Sequence, residues 1–342
     1  MVFSYYITYP FYNMLWHLFK LFRRKKKLIL YCEDAIDIIL FKNVGKYLEN
    51  IDIVAKNNEI KQKLLNHGYK NISIMPSFPD VVIMFRNMAW KFPCKKIIKI
   101  GFTHGAYNFK KHSKANYYNM FDLFFLTSKH DIEKLRKHGV TIDLDIAYPK
   151  IDSLFNGVEK PDIQLDHEKK TLFFASTYDK SGMSAIDKWI DKISLLKDKF
   201  NLIVTVHEWM SEEYKIKLRT NPDIHFIEEL DRLKYIPLAD ICINDMSSII
   251  AECCLLDKPI ITFKVPNTSR TMPEIINMIE NISLRIDDFD ELENAVNILL
   301  ENQEMFKEER KKISNILFHN PDGKSGQRAA LKIKNLIESL TH

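Results

Sequence analysis

A chain of 342 residues with 46% apolar content is long enough for two domains, each with its own core. Lysine and arginine number 50 against 45 aspartates and glutamates, a net charge of +5, which is too small a surplus to point to nucleic acid. Five cysteines with no CxxC spacing exclude a thiolate zinc site and read as free thiols of a reducing compartment.

The first element is an aromatic segment. Residues 1–22 hold nine aromatic side chains, the first charge is Lys20, and the basic run Arg23-Arg24-Lys25-Lys26-Lys27 follows at once. A cleaved signal peptide would put its charges first and end in small residues. A spanning helix needs about 20 apolar residues, and Tyr, Asn, Ser and Pro10 dilute this one. An interfacial segment fits the pattern: Tyr and Trp favour the headgroup level, and each nearby Lys or Arg gains about 1 kcal/mol from anionic lipid. A helix packed on the first domain is the competing reading.

Apolar runs then predict strands at 27–32, 51–55, 72–75, 81–85, 97–102 and 121–126, with helices at 34–48, 59–67 and 129–137. Polar stretch 156–170, with Gly157 and Pro161, reads as a linker. The rhythm restarts with strands at 171–175, 202–206, 224–227, 241–243 and 260–263, and helices at 185–196, 212–218, 247–256, 292–299, 306–316 and 326–339. Short apolar runs alternating with helical segments indicate βα units and parallel sheets. The expected division is a segment at 1–26, a first domain at 27–160 and a second at 168–342. No GxGxxG and no Walker P-loop is present, which removes support for a nicotinamide dehydrogenase or an ATPase.

Four places carry candidate chemistry. Asp245-Met246-Ser247-Ser248 follows an apolar run and precedes a helix. A serine N-cap with free N–H groups beyond it suits phosphate oxygens, and plain capping is the other reading. Glu252, four residues on, either meets a ribose hydroxyl or faces solvent. Thr103-His104-Gly105 ends a strand, where an imidazole can act as a general base and a glycine lets the backbone approach a substrate. Lys110, Lys111, His112 and Lys114 follow in a polar loop suited to an anionic acceptor. Val206-His207-Glu208 repeats the pattern in the second half, and an imidazole N–H there can hold a phosphoryl oxygen. Last, Lys324 and Arg328 flank the start of the final helix, where cations, serine and amides can meet phosphate. A surface or buried structural histidine and an ordinary capped helix remain the alternatives at these places.

At these residues the sequence resembles the CDP-glycerol glycerophosphotransferase family, the polymerases and primases of teichoic-acid-like polymers. The resemblance spans 95–335 and rests on four motifs in order: His104-Gly105, His207, Asp245-Met246-Ser247-Ser248 with the later Asp257-Lys258-Pro259-Ile260, and Asp322-Gly323-Lys324 with Arg328. Departures are Gly105-Ala106-Tyr107 where the family has Gly-Thr-Pro, Glu208 where it has proline, and Met246 where it has tyrosine.

The resemblance implies an α/β fold of two Rossmann-like lobes of the GT-B type with an interlobe cleft. It implies an enzyme that moves glycerol phosphate or a related polyol phosphate from a CDP-activated donor to a hydroxyl of a lipid-linked or polymeric glycan or polyol-phosphate acceptor. His104 and His207 are then catalytic, and Gly105, Asp245, Ser247, Ser248, Glu252, Lys324 and Arg328 bind the donor. No metal and no cofactor is obligatory, nucleic acid is not a partner, and the expected location is peripheral, on the cytoplasmic face of the membrane against anionic lipid. Three alternatives stay open: a GT-B glycosyltransferase using a CMP- or UDP-sugar for capsule or cell-surface polysaccharide, a UDP-N-acetylglucosamine 2-epimerase, and a non-catalytic glycan-binding or scaffold protein.

Overall fold

The computed structural model describes residues 2–106, 114–157, 161–228, 230, 232–268 and 271–339, with side chains from residue 9 onward. Two compact units result. The first comprises Met1–His104, His112–Gly157 and His319–His342, and the second Gly105–Lys111 and Val158–Phe318.

The first unit opens on helix α1 (Val2–Leu21). Its sheet uses β1 (Leu28–Cys32), β2 (Ile51–Ala55), β3 (Ile72–Ile74), β4 (Val81–Met84), β5 (Ile98–Phe102), β6 (Leu123–Leu126) and β7 (Asp143–Ile146), with α2 (Asp37–Gly45), α3 (Asn58–Asn66), α4 (Ala115–Tyr118), α5 (Lys129–Lys137) and α6 (Asp152–Phe155) between them. Strand order is β3-β2-β1-β4-β5-β6-β7, every pair parallel. Helices cover both faces of such a sheet, so its central strands are continuous apolar runs. β4 (VVIM) and β6 (LFFL) are buried at every position. Asn57 and Ser128 accept from Ile60 N–H and Asp131 N–H and so start α3 and α5; such caps contribute about 1 kcal/mol each.

α1 packs along one face only. Trp16 is buried and its Nε1–H donates to the Pro79 carbonyl at 2.6 Å. The Tyr12 hydroxyl donates to the Ser77 carbonyl, and Phe19 stacks on Phe78 with centroids 5.0 Å apart. Asp80 anchors the helix end, taking Lys20 at 2.8 Å, Arg23 at 3.0 Å and the Lys27 N–H at 2.8 Å. The packed-helix reading therefore holds for this face. The other face leaves Phe11, Met14, Leu18, Leu21 and Phe22 exposed.

The second unit repeats the plan with β8 (Lys170–Ser176), β9 (Phe200–Val206), β10 (His225–Phe226), β11 (Ile241–Asn244), β12 (Ile260–Phe263) and β13 (Leu284–Ile286). Order is β10-β9-β8-β11-β12-β13, again all parallel. Its helices are α7 (Ile186–Trp189), α8 (Glu212–Arg219), α9 (Ile250–Leu255), α10 (Pro273–Ile282), α11 (Leu292–Glu301) and α12 (Lys307–Leu317). One sheet face packs Phe174, Val204, Ile243 and Ile261 against Trp189, Ile193, Val296 and Leu299.

The final helix α13 (Ser325–Ser339) corrects the expected boundary at 168–342, because it groups with the first unit. Gly326 permits this. A Cβ there would lie 2.3 Å from the Asn43 carbonyl oxygen on α2, so only glycine lets the helix start sit so close.

Candidate functional site

In the second unit β8 has β9 on one side and β11 on the other, so the chain order reverses between β8 and β11. The carboxyl ends of those strands form the position where open parallel sheets take ligands. Asp245 organises that edge. Its carboxylate is 1% exposed and accepts from Thr177 N–H at 3.0 Å, Met246 N–H at 2.6 Å, Ala185 N–H at 3.1 Å and the Ser176 hydroxyl at 2.5 Å. Burial pushes the Asp245 carboxyl above its ordinary value, and the Ser176 hydroxyl and the three amides pull it back. The expected ligand-binding Asp245 is thus a buried brace that ties the loop after β8 to the loop after β11.

Ser247 and Ser248 lie on the β11 loop, half-buried. They do not cap α9 through their side chains. The helix is entered at Ile249 without a side-chain cap, and the Ser247 and Ser248 carbonyls accept from Ile250 N–H and Ala251 N–H at 3.2 Å each. Their hydroxyls are therefore not committed to the helix. Glu252 is fully buried, which removes the solvent-facing reading. Gly105 groups with this unit, and Ser248 is the neighbour that a Cβ there would meet, at 3.7 Å.

His207 follows β9, and its N–H donates to the Ser176 carbonyl at 2.9 Å. A tight turn closes over it, Met210 N–H donating to the His207 carbonyl at 2.9 Å. The Trp209 N–H donates to His207 Nδ1 at 3.1 Å. With Nδ1 accepting, the proton of the neutral ring sits on Nε2, which becomes a donor. Tyr178 and Trp209 lie beside the ring, with centroids 5.0 and 5.4 Å away. Sequence reading missed Tyr178 and Trp209. The signal was an aromatic two or three residues past the end of each of two buried strands.

His104 stands in the first unit just past β5, exposed, with Thr103 N–H bonded to the Phe125 carbonyl at 3.0 Å. Lys110, Lys111 and His112 lie outside the described residues. The phosphate seat expected at the start of α13 is already filled. Asp152 accepts from Ser325 N–H at 3.1 Å and Gly326 N–H at 2.6 Å, and Ser325 Oγ accepts from Tyr148 N–H at 2.6 Å. Arg328 Nη1 donates to both carboxylate oxygens of Asp322, at 2.9 and 2.8 Å, and Lys324 N–H also bonds Asp322. An aspartate at a helix N-terminus satisfies its amides and favours its dipole, so this element works as an internal brace.

The first sheet reverses between β1 and β4, and its carboxyl edge holds charges that sequence reading did not single out. Asp37 is fully buried, accepts from Glu33 N–H at 2.9 Å and Asp34 N–H at 3.1 Å, and faces Arg86 Nε at 3.3 Å. Glu33 takes Lys91 at 2.6 Å and Lys56 at 2.8 Å. Burial outweighs Arg86 and the amides and pushes the Asp37 carboxyl up to about 6 from its ordinary 3.8. The unfolded chain then loses this proton first. The stabilising contribution of Asp37 is full below the unfolded value and is lost as pH rises through the folded one. In urea unfolding of wild type and Asp37→Asn, the stability difference should move against wild type by about 2 kcal/mol between about pH 4.5 and about pH 7. A difference that does not change with pH would show that Asp37 is not held in this way.

Among the described residues no group of three or more His, Cys, Asp or Glu side chains is arranged to hold a metal ion. Residues 95–335 match the sequence profile of a family described as CDP-glycerol:poly(glycerophosphate) glycerophosphotransferase. No curated protein sequence matches the chain. Among solved structures, the wall teichoic acid polymerase TagF is similar at 14% identity, covering 93% of this chain and 91% of its own, with a TM-score of 0.67. A histidine-to-alanine variant of TagF reaches a TM-score of 0.70 at 15% identity, covering 100% and 98%. A putative UDP-N-acetylglucosamine 2-epimerase from Listeria monocytogenes aligns at 16% identity, covering 92% and 97%, with a TM-score of 0.61. At these identities the structures share the fold: two Rossmann-like lobes of the GT-B type.

Proposed function

The chain belongs to the CDP-glycerol:poly(glycerophosphate) glycerophosphotransferase family, and from that premise we propose how its residues divide the transfer of a CDP-activated polyol phosphate to a glycan or polyol hydroxyl. His104 takes the proton of the acceptor hydroxyl. The acceptor oxygen forms its bond to the phosphorus of the glycerol phosphate, the pyrophosphate P–O bond breaks, and CMP leaves with the bridging oxygen. The His207 Nε2–H and the Ser247 and Ser248 hydroxyls hold the phosphate that becomes CMP. Asp245 keeps the two donor loops in register without touching the donor. Preorganised donors of this kind act where negative charge grows on the leaving group, and they need no rearrangement during the step.

The observation that carries this reading is the His207 turn. A backbone N–H bonded to Nδ1 leaves Nε2 as the donor, at the carboxyl edge of a parallel sheet.

α1 supports a membrane partner. No helix among the described residues is long and apolar enough to cross a membrane. Phe11, Met14, Leu18 and Leu21 recur at helical spacing on its open side, 69%, 60%, 49% and 81% exposed. Arg24, Lys25 and Lys26 stand exposed just beyond. We propose that this face lies in an anionic membrane surface and presents the enzyme to a membrane-held acceptor.

One preparation tests both parts. The purified chain is given CDP-glycerol, a CMP-sugar and a UDP-sugar in turn, with vesicles of phosphatidylglycerol or of phosphatidylcholine alone. Acceptor-dependent CMP release from CDP-glycerol only, with flotation only on the anionic vesicles, is expected. Turnover of a nucleotide sugar in place of CDP-glycerol would move the donor assignment, and equal flotation on both vesicles would reject the basic contribution.

A further inference from the structure

The turn that carries His207 is held by a group far along the chain. Arg232 Nη1 donates to the Val206 carbonyl at 2.8 Å, and its Nη2 donates to Glu208 Oε2 at 2.8 Å. One guanidinium therefore grips the residue before the histidine and the residue after it. Lys215 Nζ adds a third tie, to the Glu208 carbonyl at 2.8 Å. Both partners of the Arg232–Glu208 pair are largely withdrawn from water, with side chains 19% and 22% exposed. Two donors in one rigid plane suit this bridge better than an ammonium, whose donors all issue from one nitrogen.

Resting on the assignment of His207 to the donor, we propose that Arg232 is the positioning residue for that imidazole, with Glu208 as its counter-ion. The Trp209 N–H fixes which ring nitrogen carries the proton, and Arg232 fixes where the ring stands. Glu208 occupies the position where the family pattern has proline. A proline stiffens a turn by locking φ; here an ion pair to a separate loop stiffens it. The loop after β10, which carries Arg232, is thereby joined to the loop after β9.

The test is a double-mutant cycle on acceptor-dependent CMP release from CDP-glycerol. Arg232→Met and Arg232→Lys are made in wild type and in His207→Ala. In wild type, Arg232→Met should lower kcat about tenfold or more, with KM for CDP-glycerol moving less than about threefold. Arg232→Lys should recover part of the loss. In the His207→Ala background the same changes should cost less than about twofold, because the group being positioned is gone. Equal losses in both backgrounds would overturn the proposal and leave the His207 role standing. Full turnover by His207→Ala would overturn the His207 role, and the proposal with it. If Arg232→Met does not fold, Glu208→Gln in the two backgrounds supplies the same comparison, with a smaller loss expected in wild type and none in His207→Ala.

Discussion

Replacing His104 with alanine is expected to lower acceptor-dependent CMP release from CDP-glycerol by about a thousandfold, within the range for removing a general base. The loss should fall on kcat, because the residue acts on the acceptor proton and makes no contact with the nucleotide in this mechanism. Binding of CDP-glycerol, measured by calorimetry without acceptor, should stay within about threefold of wild type. His104 follows the buried strand β5 directly and is exposed, so the substitution leaves the core of the first unit untouched. A loss of less than about tenfold, with a folded protein, would remove His104 from the role.

Asp245→Asn should be felt in stability and turnover together. Three backbone N–H groups and a hydroxyl converge on this buried carboxylate. An amide keeps one oxygen and turns an NH2 group toward backbone N–H groups that cannot accept. Each orphaned buried donor costs about 1–3 kcal/mol, so a net loss near 3 kcal/mol in unfolding free energy is expected. The loops after β8 and β11 would separate, and CMP release should fall at least about tenfold. Urea unfolding and steady-state kinetics on one preparation check both. A change below about 0.5 kcal/mol would mean that the carboxylate is not the brace described, since that is the ordinary effect of a surface substitution.

Most strands were legible because both faces of a parallel sheet are covered, and covered strands are written as unbroken apolar runs. Two of the edge strands, β7 and β13, lack that signature. β7 reads DLDI and β13 reads LRI, and neither is buried throughout; both escaped the sequence reading. The helix expected at 185–196 is two short turns, α7 and a 3-10 turn at Ile193–Leu196. α10 was missed although Pro273 stands at its first position, a recognised start signal.

The candidate site was legible as residues and not as geometry. His104, His207 and Asp245-Met246-Ser247-Ser248 are visible because strand ends are where parallel sheets expose their chemistry. That Asp245 points inward is not visible, because one polar letter after an apolar run fits a ligand contact and a brace equally. Arg232 was invisible for another reason: it stands 24 residues from Glu208, and no local pattern announces a bond between two loops. The filled start of α13 shows the same limit, since Asp152 and Gly326 are separated by 174 positions.

The grouping of α13 with the first unit has a consequence for how the protein is made. Translation runs from the amino end, and domains fold as units once their residues have emerged. Residues 158–318 leave the ribosome before Ser325, Gly326 and the rest of α13 exist. The later domain in the sequence is thus free to finish first. The earlier one waits with Asp152 and the Asn43 surface uncovered until the last helix arrives to close it.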